Sequence, residues 1–155
     1  MTYRLLLLGA AVLAVTALVL FGRERSSRPG IVADAIRTPG VLNPDVTPAT
    51  LATTICAHGW TRTVRPPTDY TNALKRRQMR AYGETGSPSD YQEDHLISLE
   101  LGGNPTDPRN LWPEPYPRAA EVDKLENELN DRLCSGAITL DEAQRTESAL
   151  KHRDG

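Results

Sequence analysis

The feature that most limits what this chain can fold into is an uncharged apolar run near its start. Leu5 to Phe21 spans 17 residues rich in Leu, Val and Ala, between Arg4 on one side and Arg23, Arg25 and Arg28 on the other. A helix that is apolar all round has no polar face to turn toward water. At a rise of about 1.5 Å per residue it reaches roughly 25 Å, the lower limit for crossing a bilayer. The run ends Val19-Leu20-Phe21-Gly22-Arg23, without the small residues of a cleavage site, which favours an uncleaved anchor over a cleaved signal. Residues 1–22 are therefore read as a signal-anchor or transmembrane segment that associates with a membrane. Basic residues flank it on both sides, so the positive-inside rule leaves its orientation open.

Whatever core exists must come from the remainder, which is poor in large aromatics. The whole chain has one Phe and two Trp. Against that scarcity the two cysteines, Cys56 and Cys134, carry weight. An even count behind an export segment suggests a disulfide in an oxidising compartment; the alternative is two free buried thiols. The closed loop would span 134 − 56 = 78 residues, worth about 4–5 kcal/mol in the chain-entropy account. No Cys-x-x-Cys spacing occurs, which disfavours a zinc knuckle. Anchor and disulfide together predict a domain on the extracytoplasmic side of a membrane, or a secreted one.

Residues 23–46 read as a linker, because Ser26, Ser27, Pro29, Gly30, Pro39, Gly40 and Pro44 interrupt every apolar run. A single domain is expected over 47–155. Thr47-Pro48 looks like a cap and first turn opening a short helix to about Cys56. Alternation from Trp60 to Val64 predicts a short strand or extended segment. Thr71 would cap a helix from Asn72 to about Tyr82, stopped by Gly83. From Tyr91 to Leu101 the apolar residues alternate as in a strand, Gly102-Gly103-Asn104-Pro105 breaks the pattern, and Asn110-Leu111-Trp112 supplies a short return strand. A helix from about Pro117 to Leu133 presents Val122, Leu125, Leu129 and Leu133 as one stripe. Thr139 and Glu142 have capping-box spacing for a last helix. Helices, then strand, loop, strand and helix make an α+β domain, mostly helical around a central hairpin.

The most informative stretch is Asp94-His95-Leu96-Ile97, followed by Gly102-Gly103 and then Asn110-Leu111-Trp112. Breaking a phosphodiester calls for an activated nucleophile and neutralisation of developing charge. A neutral His can take a proton near pH 7, and carboxylates can hold a cation that polarises the phosphate. This run resembles the HNH (ββα-metal) nucleases over roughly Tyr91 to Leu129, with 15 residues from His95 to Asn110. It is also similar to a group of uncharacterised bacterial exported and membrane-anchored proteins with the same Glu-Asp-His-Leu and Asn-Leu-Trp-Pro runs, where the likeness extends back to Thr38.

The resemblance implies a ββα core over about 91–133, with His95 as general base, Asp94 as a metal ligand, and Asn110 bracing the hairpin and orienting the His. It implies a metal-dependent nuclease acting on DNA or RNA outside the cytoplasm. The departure lies in the helix, where the family places a final His or Asn ligand. No His lies between His95 and His152. Asp123 and Glu126, three apart and sharing a helix face, are the replacements this chain offers. Oxygen ligands of that kind suit magnesium or manganese, with calcium as an alternative. Glu93 and Glu100 read as solvated, and His58 and His152 lie outside the motif.

Charge distribution bears on partners. Without residues 1–28 the chain has 14 basic and 19 acidic residues, net −5, which argues against broad adhesion to nucleic acid. The balance is uneven: Arg62 to Arg80 sums to +5 (six basic, one acidic), and Glu84 to Asp131 to −9 (three basic, 12 acidic). Within the basic stretch Arg76, Arg77 and Arg80 are candidate phosphate contacts. No protein partner is indicated. The competing expectation is a non-catalytic exported module that keeps the HNH-like hairpin for structure, with or without a structural metal ion.

Overall fold

The computed structural model describes residues 32–116 and 118–153. The signal-anchor reading of 1–22 and the first part of the linker lie outside these residues. Among the described residues no helix is long and apolar enough to cross a membrane.

The fold is α+β: four helices around one antiparallel hairpin. Helix α1 is Trp60–Val64 and α2 is Thr68–Tyr82. Strands β1 (Tyr91–His95) and β2 (Leu111–Pro115) form the hairpin, and α3 (Arg118–Cys134) and α4 (Leu140–Arg153) follow. Asp94 pairs with Trp112, and His95 with Leu111. Prolines in a strand look like a contradiction, but register resolves it. The bonds Leu96 N–H to Asn110 O and Tyr116 N–H to Asp90 O put the hydrogen-bonded pairs at even positions. Pro113 and Pro115 fall between them and cost the ladder no donor.

Three local expectations are corrected. The short helix after Thr47-Pro48 is only a 3₁₀ turn at Leu51–Thr53. Threonine hydroxyls explain it: those of Thr53 and Thr54 bond the Thr50 carbonyl, and that of Thr50 bonds Asp45 O, offering the backbone alternatives to a helix. The alternating segment at Trp60 is helical, because Trp60 packs against the main core and tertiary packing overrides weak β-propensity. Strand β1 stops at His95, where buried Leu96, Ile97, Leu99 and Leu101 turn inward in succession instead of alternating. Elsewhere the sequence signals hold, except that α2 starts at Thr68, a turn before the expected Asn72, so Thr71 lies inside the helix with its hydroxyl on Thr68 O instead of capping it. Gly83 ends α2 in the left-handed conformation (φ 76°), and Thr139 Oγ accepts the Glu142 N–H at the start of α4.

The main core joins Val46, Ile55, Ile97, Leu101, Leu129, Leu133, Ile138, Leu140 and Ala143, closed at one edge by a disulfide between Cys56 and Cys134. Residues 33–46, read above as linker, are packed into the fold. Ala33 N–H bonds the Lys151 carbonyl, Leu42 bridges Gly103, and Thr38, Asn43 and Val46 are buried.

Candidate functional site

The loop joining the strands is held by Asn110. Fully buried, its Oδ1 accepts from Ile97 N–H at 3.0 Å, and its Nδ2 donates to Ile97 O and Asn104 O, both at 3.0 Å. Gly103 lies so close to this brace that a Cβ there would sit 1.7 Å from Ile97 O, so only glycine fits. Helix α2 pins the far side of the loop: Tyr70 OH donates to Thr106 O and Gln78 Nε2 to Pro108 O.

That bracing presents Pro105 O to His95 Nε2 at 3.0 Å. A carbonyl can only accept, so Nε2 carries the proton and Nδ1 is the basic nitrogen. Burial lowers the imidazole's pKa, against the Pro105 bond and Asp94, which raise it; the ring is neutral at pH 7. His95 lines two adjoining cavities that also share Arg65, Gln92 and Asp94. One, of about 60 Å³, reaches Asp123, Glu126 and Glu100; the other, about 220 Å³, runs along Pro66, Thr68 and Thr71. Arg65, just after α1, is exposed and has no ion pair among the described residues.

Beneath the cavities lies a group the motif did not anticipate. Lys151, fully buried on α4, places Nζ 2.8 Å from Asp94 Oδ2, 2.7 Å from Glu126 Oε1, 3.2 Å from Glu147 Oε1 and 2.5 Å from His95 O. One ammonium cannot neutralise three carboxylates in a medium of low dielectric, so the acids divide. Burial would raise Asp94, but the Lys151 charge and a hydrogen bond from Glu114 outweigh it and hold the carboxyl well below its ordinary range. Burial pushes Glu126 up to about 10, the nearby Asp94 and Glu147 adding to it against Lys151. Burial likewise raises Glu147, whose oxygens accept from Ser98 N–H.

Glu114 on β2 is raised to about 9 by burial and by Asp94. No donor reaches its oxygens, so it keeps its proton and gives that proton's hydrogen bond to Asp94. Lys151 itself would lose its charge on burial, but the surrounding carboxyls raise it well above its ordinary pKa. At pH 7 the centre of the cluster is the Lys151–Asp94 ion pair, with Glu114 and Glu126 protonated beside it.

A divalent cation does not fit these residues as they stand. Asp94 Oδ2 and Glu126 Oε1, two of the three predicted ligand groups, are taken by an ammonium, and Glu126 is protonated. Asp123 lines the smaller cavity with a carboxyl raised by burial and by Asp94. Among the described residues no three His, Cys, Asp or Glu side chains are arranged to hold a metal ion.

The other predicted residues divide. His95, Asp94, Asp123 and Glu126 come together at the smaller cavity, with Asn110 behind it. Arg76, Arg77 and Arg80 are exposed on α2 and line neither cavity. Glu93 is not solvated: both oxygens are buried without a partner, and burial raises it to about 8. Sequence reading missed Arg65, Gln92, Glu114, Glu147 and Lys151. A signal for the last two was present, since Leu140, Ala143, Gln144, Glu147 and Lys151 follow one inward helix face. Compared with known proteins, the chain matches no family model, no curated protein and no solved structure.

Proposed function

We propose that this chain is an HNH-like phosphodiesterase that cleaves nucleic acid at the Asp94–His95 cleft. The observation that carries the reading is His95: neutral, fixed in one tautomer by Pro105 O, and lining a cavity beside Arg65, which has no ion pair among the described residues. The order β1, braced loop, β2, α3 supports the resemblance seen in the sequence. His95 Nδ1 acts as general base, Asn110 holds the loop that orients it, and Arg65 takes the negative charge of the phosphate. Arg76, Arg77 and Arg80 on the same helix as Thr68 and Thr71 add contacts along the backbone. The Cys56–Cys134 disulfide supports an oxidising location, hence an exported domain.

The test is cleavage of plasmid DNA and of RNA by the purified chain, with magnesium, manganese, calcium or chelator, beside His95→Ala. Cutting is expected from the wild type and a loss of about 100-fold or more from the variant. Equal cutting by His95→Ala sinks the assignment.

One observation favours a second reading, a non-catalytic exported module. The Lys151 cluster already ties β1, α3 and α4 together, which is the work of a structural ion. That reading predicts a folded, oxidised chain that cuts nothing under any condition.

A further inference from the structure

We infer that Lys151 is the resident cation of this site, in the position a divalent metal would otherwise hold, and that the cleft cleaves RNA through the substrate's own 2′-hydroxyl. The inference rests on the phosphodiesterase reading above and adds substrate class and chemistry to it.

The geometry is that of a coordination sphere. Four oxygens from β1, α3 and α4 lie 2.5–3.2 Å from one positive nitrogen. Lys151 is fully buried, and its backbone carbonyl is tied to Ala33 N–H, so its side chain is anchored from behind. The second oxygen of Asp94 accepts from Gln92 at 3.2 Å. Both Asp94 oxygens therefore have donors, and the carboxylate most needed by a metal is committed.

An ammonium so placed neutralises Asp94 but does not reach a substrate. It supplies neither a metal-bound hydroxide nor a Lewis acid for the leaving oxygen. Apart from the Asp123 and Glu100 carboxyls at its acidic end, the cleft offers the His95 imidazole, with Nε2 held by Pro105 O, and the Arg65 guanidinium as reacting groups. For DNA that pair would have to drive an external water onto phosphorus. RNA brings its own nucleophile, tethered beside the phosphorus, and intramolecular attack of this kind has a large entropic advantage. The 2′-hydroxyl is also the group that distinguishes RNA from DNA.

The step balances without a further reactant. His95 Nδ1 takes the 2′-hydroxyl proton as the 2′-oxygen bonds to phosphorus, and the bond from phosphorus to the 5′-oxygen breaks. That 5′-oxygen takes a proton from water at the cleft mouth, and the imidazolium returns its proton to the hydroxide left behind. The products are a 2′,3′-cyclic phosphate and a 5′-hydroxyl. Arg65 holds the non-bridging oxygens while charge builds on them. Lys151 is a positioning residue, acting through Asp94 and the His95 carbonyl.

The experiment uses the full chain, oxidised and in mild detergent, with an RNA oligonucleotide and its all-deoxy counterpart, in EDTA or in magnesium or manganese. Expected is RNA cutting that persists in EDTA, leaves cyclic-phosphate and 5′-hydroxyl ends, spares the deoxy strand and falls about 100-fold or more in His95→Ala. Cutting of the deoxy strand, or cutting only with added metal, overturns the inference and leaves the phosphodiesterase reading intact. No cutting of either strand overturns both. A second measurement isolates Lys151. Calcium and EDTA should leave the wild-type Tm unchanged, whereas in Lys151→Ala the freed carboxylates take calcium, which raises the Tm or restores folding. A calcium-sensitive wild type, or a variant that calcium does not help, overturns the role given to Lys151.

Discussion

The two halves of this domain are held together by different physics. On one side Ile55, Leu101, Leu129, Leu133 and Leu140 pack around the disulfide. On the other, under the hairpin, Asp94, Glu114, Glu126, Glu147 and Lys151 occupy space that apolar side chains would fill in an ordinary core. Apolar burial is non-directional and tolerates exchange of one aliphatic residue for another. A buried ion pair tolerates almost nothing, since removing either partner strands a charge away from water. The apolar half gives the domain its stability, and the charged half gives the cleft its fixed geometry at a cost in stability. The comparison therefore predicts different responses from the two halves.

The largest effect belongs to the apolar half. Reducing the Cys56–Cys134 bond releases a loop with a sequence separation of 78, a loss of about 4–5 kcal/mol in the chain-entropy account. Urea melts with and without reductant measure it. A change below about 1 kcal/mol would mean that the unfolded chain is already constrained there, and that this half does not depend on its staple.

Next comes the cation. Lys151→Met keeps the aliphatic stem but leaves Asp94 ionised and unpaired, and it should lose about 3–5 kcal/mol. Adding Asp94→Asn to that variant removes the stranded charge, so much of the loss should return, a coupling of about 1–3 kcal/mol in a double-mutant cycle. Strictly additive losses would show that the two side chains do not share an ion pair, and the contrast between the halves would fail.

The same contrast explains what could be read from the sequence. The apolar half was legible because its signals are local and periodic: the Val122–Leu125–Leu129–Leu133 stripe, the Gly83 stop and the Thr139 cap each act within a turn or two. The disulfide was legible because there were only two cysteines to pair. Around the cleft, Asp94, His95 and Asn110 stood out because spacing across a hairpin is short-range information. Lys151 did not: it shares a helix face with Leu140, Ala143 and Glu147, but nothing local in the sequence says that its partner on that face is Asp94, 57 residues away. Residues 33–46 misled in the same way. Their prolines and glycines show that the segment is irregular, but not that it is packed. Arg65 was hidden because the segment before it read as extended, whereas helix α1 ends there and places Arg65 at the cleft.

The smallest effect, and the most specific to the charged half, is on pH. Glu93, Glu114 and Glu126 hold their protons up to about 8, 9 and 10 in the fold, because burial disfavours their charged forms. In the unfolded chain they release them near 4.5. Between those limits the folded state binds more protons than the unfolded one, so stability falls as pH rises. The other shifts do not reverse this between pH 7 and 9. His95, lowered by burial, acts near and below 6.5; Asp94, held down chiefly by Lys151 against burial, acts below 3.8; and Lys151, raised by its carboxylates, acts above 10.5. The Tm should therefore drop from pH 7 to pH 9, opposite to the usual expectation for a domain rich in surface carboxylates. Glu114→Gln should flatten the drop by about 1–2 kcal/mol, since an amide donates to Asp94 as the protonated acid does but cannot ionise. A Tm that holds steady to pH 9, or a Glu114→Gln slope identical to wild type, would mean that the glutamates are ionised. The charged half would then be an open, hydrated acidic cluster, and Lys151 one counter-ion among several.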